Sequence, residues 1–312
     1  MRILVSSNHH YPARDYPASA GGIASARVTD WLVKGLAELG HEVLYRLSQP
    51  TTAKLPPGVT LASGSVSEAE VLHLQNIGLE EIDPPPLPWV KSVHVDLKAR
   101  GRNYLIRDNW IFVSRTLAES YKRNRYVLNG VDPDEYIYSE TKRNYFLFIC
   151  TLDRAEEKGL DVVLSIATKT GCEIIIAGSA AHQHVLEEVK AKCRGTNVRL
   201  VGEIKGEAKA EWLAGAKALL FPTQFNEAFG LVMAEALMSG TPVICSDRGA
   251  CREIISADVG FVCETERDYL DAINRIGEVA PAACRAKALK DYHYLRMARD
   301  YVKEYEKEIE RE

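Results

Sequence analysis

The sequence lacks the patterns that mark membrane-spanning and disulfide-bonded proteins. Its seven cysteines form no C-x-x-C pair and several lie in apolar runs, a pattern more typical of reduced thiols than of a disulfide framework. No run of 18 apolar residues occurs, and the opening segment Met1–Ser6 has only a short apolar run without a cleavage signal. We therefore expect a cytoplasmic protein without a membrane span.

Three common nucleotide and hydrolase motifs are also missing. The sequence contains no G-x-G-x-x-G, no Walker A motif and no G-x-S-x-G, which argues against a nicotinamide dehydrogenase, a P-loop NTPase and an α/β-hydrolase. No motif indicates a cofactor. The 39 Lys and Arg residues and 43 Asp and Glu residues give a net charge of −4, so the overall charge does not favour a nucleic-acid partner.

Strand and helix patterns alternate along the chain. Apolar residues at helical spacing predict a helix over 22–39, ended by Gly40. Short apolar runs predict strands at 2–6, 41–47, 71–74, 90–95, 110–113 and 126–128, and then at 145–150, 173–177, 197–201, 218–221, 242–245 and 260–263. Apolar strands joined by helices indicate parallel sheets covered on both faces. The fold class is therefore α/β, with two Rossmann-like domains at 1–140 and 141–288 and a final amphipathic helix over 289–312.

Two carboxylates eight residues apart, Glu227 and Glu235, form the most informative motif. The local order of strand, loop, helix and strand places Glu227 in the loop and Glu235 inside the helix. The backbone amides of Phe229, Gly230 and Leu231 lie at the helix start, where they can face an anion. An anion site flanked by two carboxylates suits a sugar nucleotide. The alternative is an ordinary first-turn acid and a solvated helix residue.

Two basic residues, Arg154 and Lys158, follow the first strand of the second domain. Ligands bind at the carboxyl ends of parallel strands, and an Arg and a Lys there could hold a diphosphate. The alternative is a surface pair at the start of a helix. In the first domain, Gly21 and Gly22 precede the first helix and could form an anion cradle without side chains.

The Glu227–Glu235 segment resembles the E-x7-E motif of the family 4 glycosyltransferases, which are retaining, use nucleotide sugars and have the GT-B fold. The resemblance implies two Rossmann-like domains that face each other across a cleft. It assigns Glu227 to the donor sugar and Glu235 to the ribose hydroxyls. Arg154 and Lys158 would neutralise the leaving diphosphate, so that no metal is expected.

The same resemblance extends to the first domain and to the nucleotide base. It implies that Gly21 and Gly22 approach the donor diphosphate, that His94 reaches the donor sugar, and that the backbone at Ile204 contacts the base. It also implies that the C-terminal helix packs back on the first domain. Asp132-Pro133-Asp134 is similar to the D-x-D metal motif of another glycosyltransferase fold, but proline within an Asn-Gly turn is more typical of a loop.

The function implied is transfer of a sugar, by a hexosyltransferase, from a UDP-sugar to an unidentified acceptor with retention. Two alternatives remain: a sugar-nucleotide epimerase or phosphorylase on the same fold, and a non-catalytic binding subunit. A basic stretch, Lys98–Arg125, holds eight Lys and Arg residues and two acids. We expect it to be a solvated face, with an anionic acceptor or a peripheral membrane contact as alternatives.

Overall fold

Two units, each a parallel sheet with helices, make up the described part of the chain. The computed structural model describes residues 1–13, 23–48, 51–62, 68–75, 86–98 and 105–311. Unit 1 combines Met1–Val131 with Asp291–Glu312, and unit 2 is Asp132–Lys290. Within these described ranges, none of the helices combines the length and the apolar content that a membrane span requires.

The sheet of unit 1 contains six parallel strands in the described residues. They are β1 Arg2–Ser7, β2 Glu42–Leu47, β3 Val59–Leu61, β4 Val71–Gln75, β5 Trp89–Val93 and β6 Trp110–Phe112. Their order across the sheet is β3-β2-β1-β4-β5-β6. This is the order of a Rossmann fold, in which the strand order reverses between the first and fourth strands. The central strands are almost wholly buried, which explains their continuous apolar runs.

Unit 2 repeats this topology. Its strands are β7 Phe146–Ile149, β8 Ile174–Ala177, β9 Val198–Gly202, β10 Ala218–Phe221, β11 Val243–Ser246 and β12 Gly260–Cys263. The order is β12-β11-β10-β7-β8-β9, so β7 and β10 are the central neighbours. The prediction of two Rossmann-like, parallel α/β sheets is confirmed.

Helices flank both sheets. In chain order they are α1 Ile23–Glu38, α2 Arg115–Ser120, α3 Leu160–Thr170, α4 Gln183–Cys193, α5 Gly206–Gly215, α6 Leu231–Met238, α7 Cys251–Ile254, α8 Glu266–Arg275, α9 Pro281–Asp291 and α10 Tyr294–Ile309. All seven cysteines lie in described residues and are free thiols. Six of them are buried, and burial raises the pKa of Cys150 to about 12.

The predicted single helix over 289–312 is divided in the structure. His293 is extended, with φ −72° and ψ 135°, and its side chain accepts a hydrogen bond from the Leu295 amide. This cap ends the preceding helix and starts α10 at Tyr294. Tyr301 and Tyr305 on α10 are fully buried, and the helix packs within unit 1 against α1, β4 and β5.

The predicted strand over 126–128 is reduced to one bridging pair, Tyr126 with Phe112. Further along, the Val131 amide donates to the Tyr292 carbonyl at 2.7 Å. Strand β3 was not predicted. It has only three residues, of which Thr60 and Leu61 are exposed, so it carries almost no periodic signal.

Candidate functional site

The centre of unit 2 brings together the two loops that carry the predicted charged residues. Lys158 follows β7, and Glu227 follows β10. These strands are neighbours in the sheet, so both loops leave from the same carboxyl edge at the point where the strand order reverses. Ligands of Rossmann-like sheets bind at this crevice.

Lys158 and Glu227 form an ion pair across this crevice. The Lys158 Nζ atom lies 2.9 Å from Glu227 Oε2, and the two side chains are 20% and 14% exposed. The loops are tied together by the Gln224 amide, which donates to the Glu157 carbonyl at 2.8 Å. An ammonium group has three N–H donors, so one bond to Glu227 leaves Lys158 able to bind an anion as well.

An aromatic ring supports both basic residues. Lys158 Nζ lies 4.3 Å and the Arg154 guanidinium 5.0 Å from the centre of the Phe225 ring. Such contacts stabilise cations against a ring face. Arg154 is about half exposed and also pairs with Glu157 at 2.7 Å. Phe225 was missed by the sequence analysis, although an aromatic residue two positions before a motif carboxylate is a visible signal.

The start of α6 carries the predicted anion-binding backbone. Gly230 is the N-terminal cap with φ 80°, a left-handed conformation that glycine adopts without strain. An added Cβ would meet Met233 Cε at 2.5 Å and Glu227 Cγ at 3.3 Å. The Phe229 side chain is buried in the core, whereas Leu231 is partly exposed. The Phe229 side chain is therefore not available to a ligand.

Glu235 lies inside α6 and is only 1% exposed. Its Oε1 atom accepts a hydrogen bond from Tyr136 Oη at 2.8 Å, and its Oε2 atom lies 2.5 Å from Lys209 Nζ. The alternative of a solvated helix residue is wrong for Glu235. Both carboxylate oxygens of Glu235 therefore have protein partners.

Three other parts of the sequence were singled out: Ile204, the Asp132–Asp134 segment, and the glycine pair before the first helix. Ile204 is partly exposed in the loop between β9 and α5. Asp132 caps a short turn by accepting a hydrogen bond from the Asp134 amide at 3.1 Å, as expected of loop chemistry. Gly21 and Gly22 lie outside the described residues.

In unit 1, His94 follows β5 at the carboxyl edge of the sheet. Its Nε2 atom lies 2.6 Å from Gln75 Oε1. Burial, and to a lesser extent the nearby Lys91 charge, lower the pKa of His94 to about 4. His94 is therefore neutral at pH 7, which suits a hydrogen-bonding role and not that of a cation.

His9 occupies a buried cluster at the end of β1. Its Nδ1 atom lies 2.7 Å from Ser7 Oγ, and its Nε2 atom lies 3.0 Å from Asp30 Oδ1. Tyr45 Oη donates to the same Asp30 oxygen at 2.7 Å. Both ring nitrogens of His9 thus have protein partners, and the cluster joins β1, β2 and α1.

The basic stretch Lys98–Arg125 makes ion pairs within itself and with the last helix of unit 1. Arg125 binds Glu304 and Glu308 of α10 at 2.7 and 2.5 Å. Arg123 pairs with Asp108 at 2.9 Å. The stretch is therefore not simply a solvated face, because Arg125, only 14% exposed, anchors the last helix.

Comparison with known proteins bears on the family and the fold of the chain. The chain is 28% identical over 152 residues to the D-rhamnosyltransferase WbpZ of Pseudomonas aeruginosa, which covers 45% of this chain and 39% of that protein. The chain spans 19% to 40% of the length of the curated relatives that it matches.

Several solved structures cover nearly the whole chain, AviGT4 and Anabaena HepE among them. AviGT4, a glycosyltransferase involved in avilamycin A biosynthesis, is 23% identical with a TM-score of 0.81, over 100% of this chain and 99% of that one. Anabaena HepE in complex with UDP is 15% identical with a TM-score of 0.74, over 98% and 100% of the two chains. Likeness at these identities shows the fold, and the predicted GT-B fold is confirmed.

The family match falls on the unit that holds the ion pair. The model described as "Glycosyl transferases group 1" matches residues 135–290, half of the chain. This range contains β7 to β12, Lys158, Glu227 and Glu235. The chain therefore belongs to the glycosyl transferases group 1 family.

Proposed function

We propose that this protein is a glycosyltransferase of the hexosyltransferase class that transfers a sugar from a nucleoside diphosphate, with UDP as the expected nucleotide. The bond between the anomeric carbon and the diphosphate oxygen breaks, and a bond to an acceptor oxygen forms. The diphosphate leaves with the electron pair and takes up the proton that the acceptor hydroxyl loses. The observation that carries this proposal is the Lys158–Glu227 pair beside the start of α6.

The geometry of unit 2 supports a nucleotide-sugar site. Lys158 and Arg154 share the Phe225 ring and would stabilise negative charge on the leaving diphosphate in place of a metal ion. The backbone amides at Phe229, Gly230 and Leu231 would add neutral donors. HepE, a structural neighbour, was solved with UDP, which supports UDP as the first nucleotide to test.

The other contacts are assigned from the resemblance to family 4. Glu227 would contact the sugar, Glu235 the ribose and the Ile204 backbone the base. Unit 2 would be the nucleotide-sugar domain and unit 1 the acceptor-side domain, to which Gly21, Gly22 and His94 belong. Membership of family 4 and retention of configuration belong to the same proposal.

A screen of nucleotide sugars by thermal shift tests donor binding, because a ligand of the native state raises the melting temperature. Donors that bind are then incubated without acceptor, and release of the free nucleotide is measured. We expect slow hydrolysis of a UDP-sugar by the protein, reduced in Lys158→Ala and retained in Lys190→Ala. Lys190 is an exposed lysine paired with Glu187, so it controls for loss of a charge.

The outcomes separate the alternatives. Tight UDP binding without turnover under any condition would indicate a binding subunit. Change in sugar stereochemistry without UDP release would indicate an epimerase, and turnover that requires phosphate would indicate a phosphorylase.

Two measurements test metal independence and retention. Hydrolysis should continue in EDTA; a rate that collapses and returns with manganese would overturn the metal-free assignment. The first sugar anomer released, followed by NMR, should have the configuration of the donor. The opposite anomer would contradict retention.

A further inference from the structure

We propose that Gln75, held by His73 and through it by Tyr305 of the last helix, fixes His94 in one tautomer. In that tautomer Nε2 carries the hydrogen and Nδ1 is a hydrogen-bond acceptor. Gln75, His73 and Tyr305 are thus positioning residues for His94. The inference rests on the proposed function only for the group that Nδ1 would bind, a sugar hydroxyl.

A continuous line of short contacts links these side chains within unit 1. His94 Nε2 lies 2.6 Å from Gln75 Oε1, and Gln75 Nε2 lies 3.0 Å from His73 Nε2. Gln75 Nε2 also donates to Ser92 Oγ at 3.0 Å. His73 Nδ1 lies 2.6 Å from Tyr305 Oη. Gln75 and His73 are completely buried, so water does not compete for these contacts.

The hydrogen positions follow from the chemistry of each group. A carbonyl oxygen only accepts, so His94 Nε2 must donate to Gln75 Oε1. The amide nitrogen only donates, so its hydrogens go to His73 Nε2 and Ser92 Oγ. His73 Nε2, which also lies 2.8 Å from Ser92 Oγ, accepts from the Gln75 amide in this arrangement. His73 then carries its hydrogen on Nδ1 and donates it to Tyr305 Oη. A neutral imidazole has one N–H, so His94 Nδ1 holds a lone pair.

The charges around the network favour two neutral imidazoles. Burial lowers the pKa of His73 well below its usual range and that of His94 to about 4, and the Lys91 charge acts in the same direction on both. The facing groups on α10, Tyr301 and Tyr305, are phenols whose pKa is raised by burial. His94 can therefore act as an acceptor across the neutral pH range.

The network lies at the edge of the unit 1 sheet where a ligand is expected. Gln75 ends β4, and His94 follows β5, so both lie at the carboxyl edge of the unit 1 sheet, where ligands of such sheets bind. Part of the His94 residue is exposed at this edge. The network joins this edge to α10, which makes the last helix part of the means by which the histidine is oriented.

The first test reads the tautomer without any substrate. The protein is labelled with ¹⁵N in its eight histidines, and His94 is assigned by comparison with His94→Gln. We expect the Nε2–H tautomer above pH 5. Tyr305→Phe, which does not touch His94, should yield a mixture of His94 tautomers, whereas Tyr138→Phe, an exposed tyrosine, should change nothing. An Nδ1–H tautomer in the wild type, or no effect of Tyr305→Phe, would overturn the inference.

The second test links the network to turnover. Gln75→Glu places a carboxylate against His94 and should raise its pKa by about 1–3 units. A protonated Nδ1 no longer accepts, so the rate of donor hydrolysis should gain a new acid limb at the pKa measured by NMR. Gln183→Glu, at an exposed position, controls for the added charge. A rate profile that does not follow the His94 titration would contradict the inference.

The two experiments can show whether this inference fails or the proposed function fails. If the protein hydrolyses no nucleotide sugar, the proposed function fails, and the NMR experiment still decides the tautomer. If turnover is present and the tautomer is wrong, the inference fails alone. If Gln75→Glu does not fold, Tyr305→Phe is used for both the tautomer measurement and the rate measurement. It removes only one hydroxyl, and the ring at position 305 keeps its packing.

Discussion

Lys158 illustrates how one residue can combine structural and chemical roles. Its ammonium group is paired with Glu227 and lies over the Phe225 ring. These two contacts hold it at the carboxyl edge of the unit 2 sheet. The interactions that accelerate a reaction are those that become stronger in the transition state. In the proposed reaction, negative charge accumulates on the leaving diphosphate, so Lys158 should contribute more to rate than to binding.

Substitution of this pair tests that difference. Lys158→Ala should lower kcat by roughly 10²–10³, the scale for loss of one stabilising donor, while the Kd for UDP changes less. Glu227→Gln should also lower kcat more than it weakens UDP binding, since its expected partner is the sugar. Calorimetry and steady-state kinetics provide the comparison, with Lys190→Ala as control. An equal loss of affinity and rate would make that residue a binding group.

Glu235 differs from Lys158 because both of its carboxylate oxygens already bind other groups of the protein. If it also binds the ribose, Glu235→Gln should weaken UDP binding by roughly 1.5–3 kcal/mol, the range for hydrogen bonds to a charged group. Tyr136→Phe removes the hydroxyl on Oε1 and should leave UDP affinity unchanged or improved. Calorimetry measures both. Unchanged affinity in a folded Glu235→Gln protein would restrict Glu235 to its contacts with Tyr136 and Lys209.

At the level of elements, the loop after β7 depends on close backbone packing. Gly159 precedes α3 with φ 91°, and an added Cβ would lie 2.1 Å from the Pro222 carbonyl oxygen. Gly171 ends the same helix with φ 67° and has nothing within 4 Å of such a Cβ. Both glycines have a left-handed backbone conformation. Of the two, Gly159 is the one packed against the loop after β10, at Pro222.

The two glycines therefore form a matched pair for a stability experiment. Gly171→Ala should cost about 1–2 kcal/mol, the strain of a left-handed alanine. Gly159→Ala should cost at least about 2 kcal/mol more, because backbone must also shift, a penalty like that of overpacking a core. Urea unfolding measures both. Equal losses would show that the contact with Pro222 relaxes freely and that only backbone strain matters.

At the level of the whole molecule, buried histidines make stability depend on pH. The pKa of His73 lies well below its usual range because the ring is buried, so the unfolded chain binds more protons than the folded one as pH falls below about 6.5. Stability is then complete above that pH and decreases below it. Each such histidine contributes up to about 1.4 kcal/mol per pH unit.

This dependence can be measured through tryptophan fluorescence, since Trp31, Trp89 and Trp110 lie in unit 1 and Trp212 in unit 2. Urea midpoints between pH 7.5 and 5 should fall on acidification. His73→Gln should reduce the change of the urea midpoint with pH, even if the variant is less stable than the wild type at pH 7.5. A slope equal to that of the wild type would mean that His73 does not titrate on unfolding.

Local patterns in the sequence were sufficient for the type of each element and for several placements. Continuous apolar runs indicated buried parallel strands, and the spacing around Gly230 placed Glu227 in a loop and Glu235 in a helix. These features follow from backbone periodicity, which depends on residues a few positions apart. The short strand β3 and the break at His293 were missed because each rests on very few residues.

The partners of the charged and polar side chains were decided only by the tertiary structure. Lys158 and Glu227 are 69 residues apart, Tyr136 and Glu235 are 99 apart, and His73 and Tyr305 are 232 apart. Such contacts depend on which strands become neighbours and on where α10 packs, and no short-range pattern encodes that. The sequence by itself therefore determined the elements and the residue types available for chemistry, whereas strand order and packing decided which of them meet.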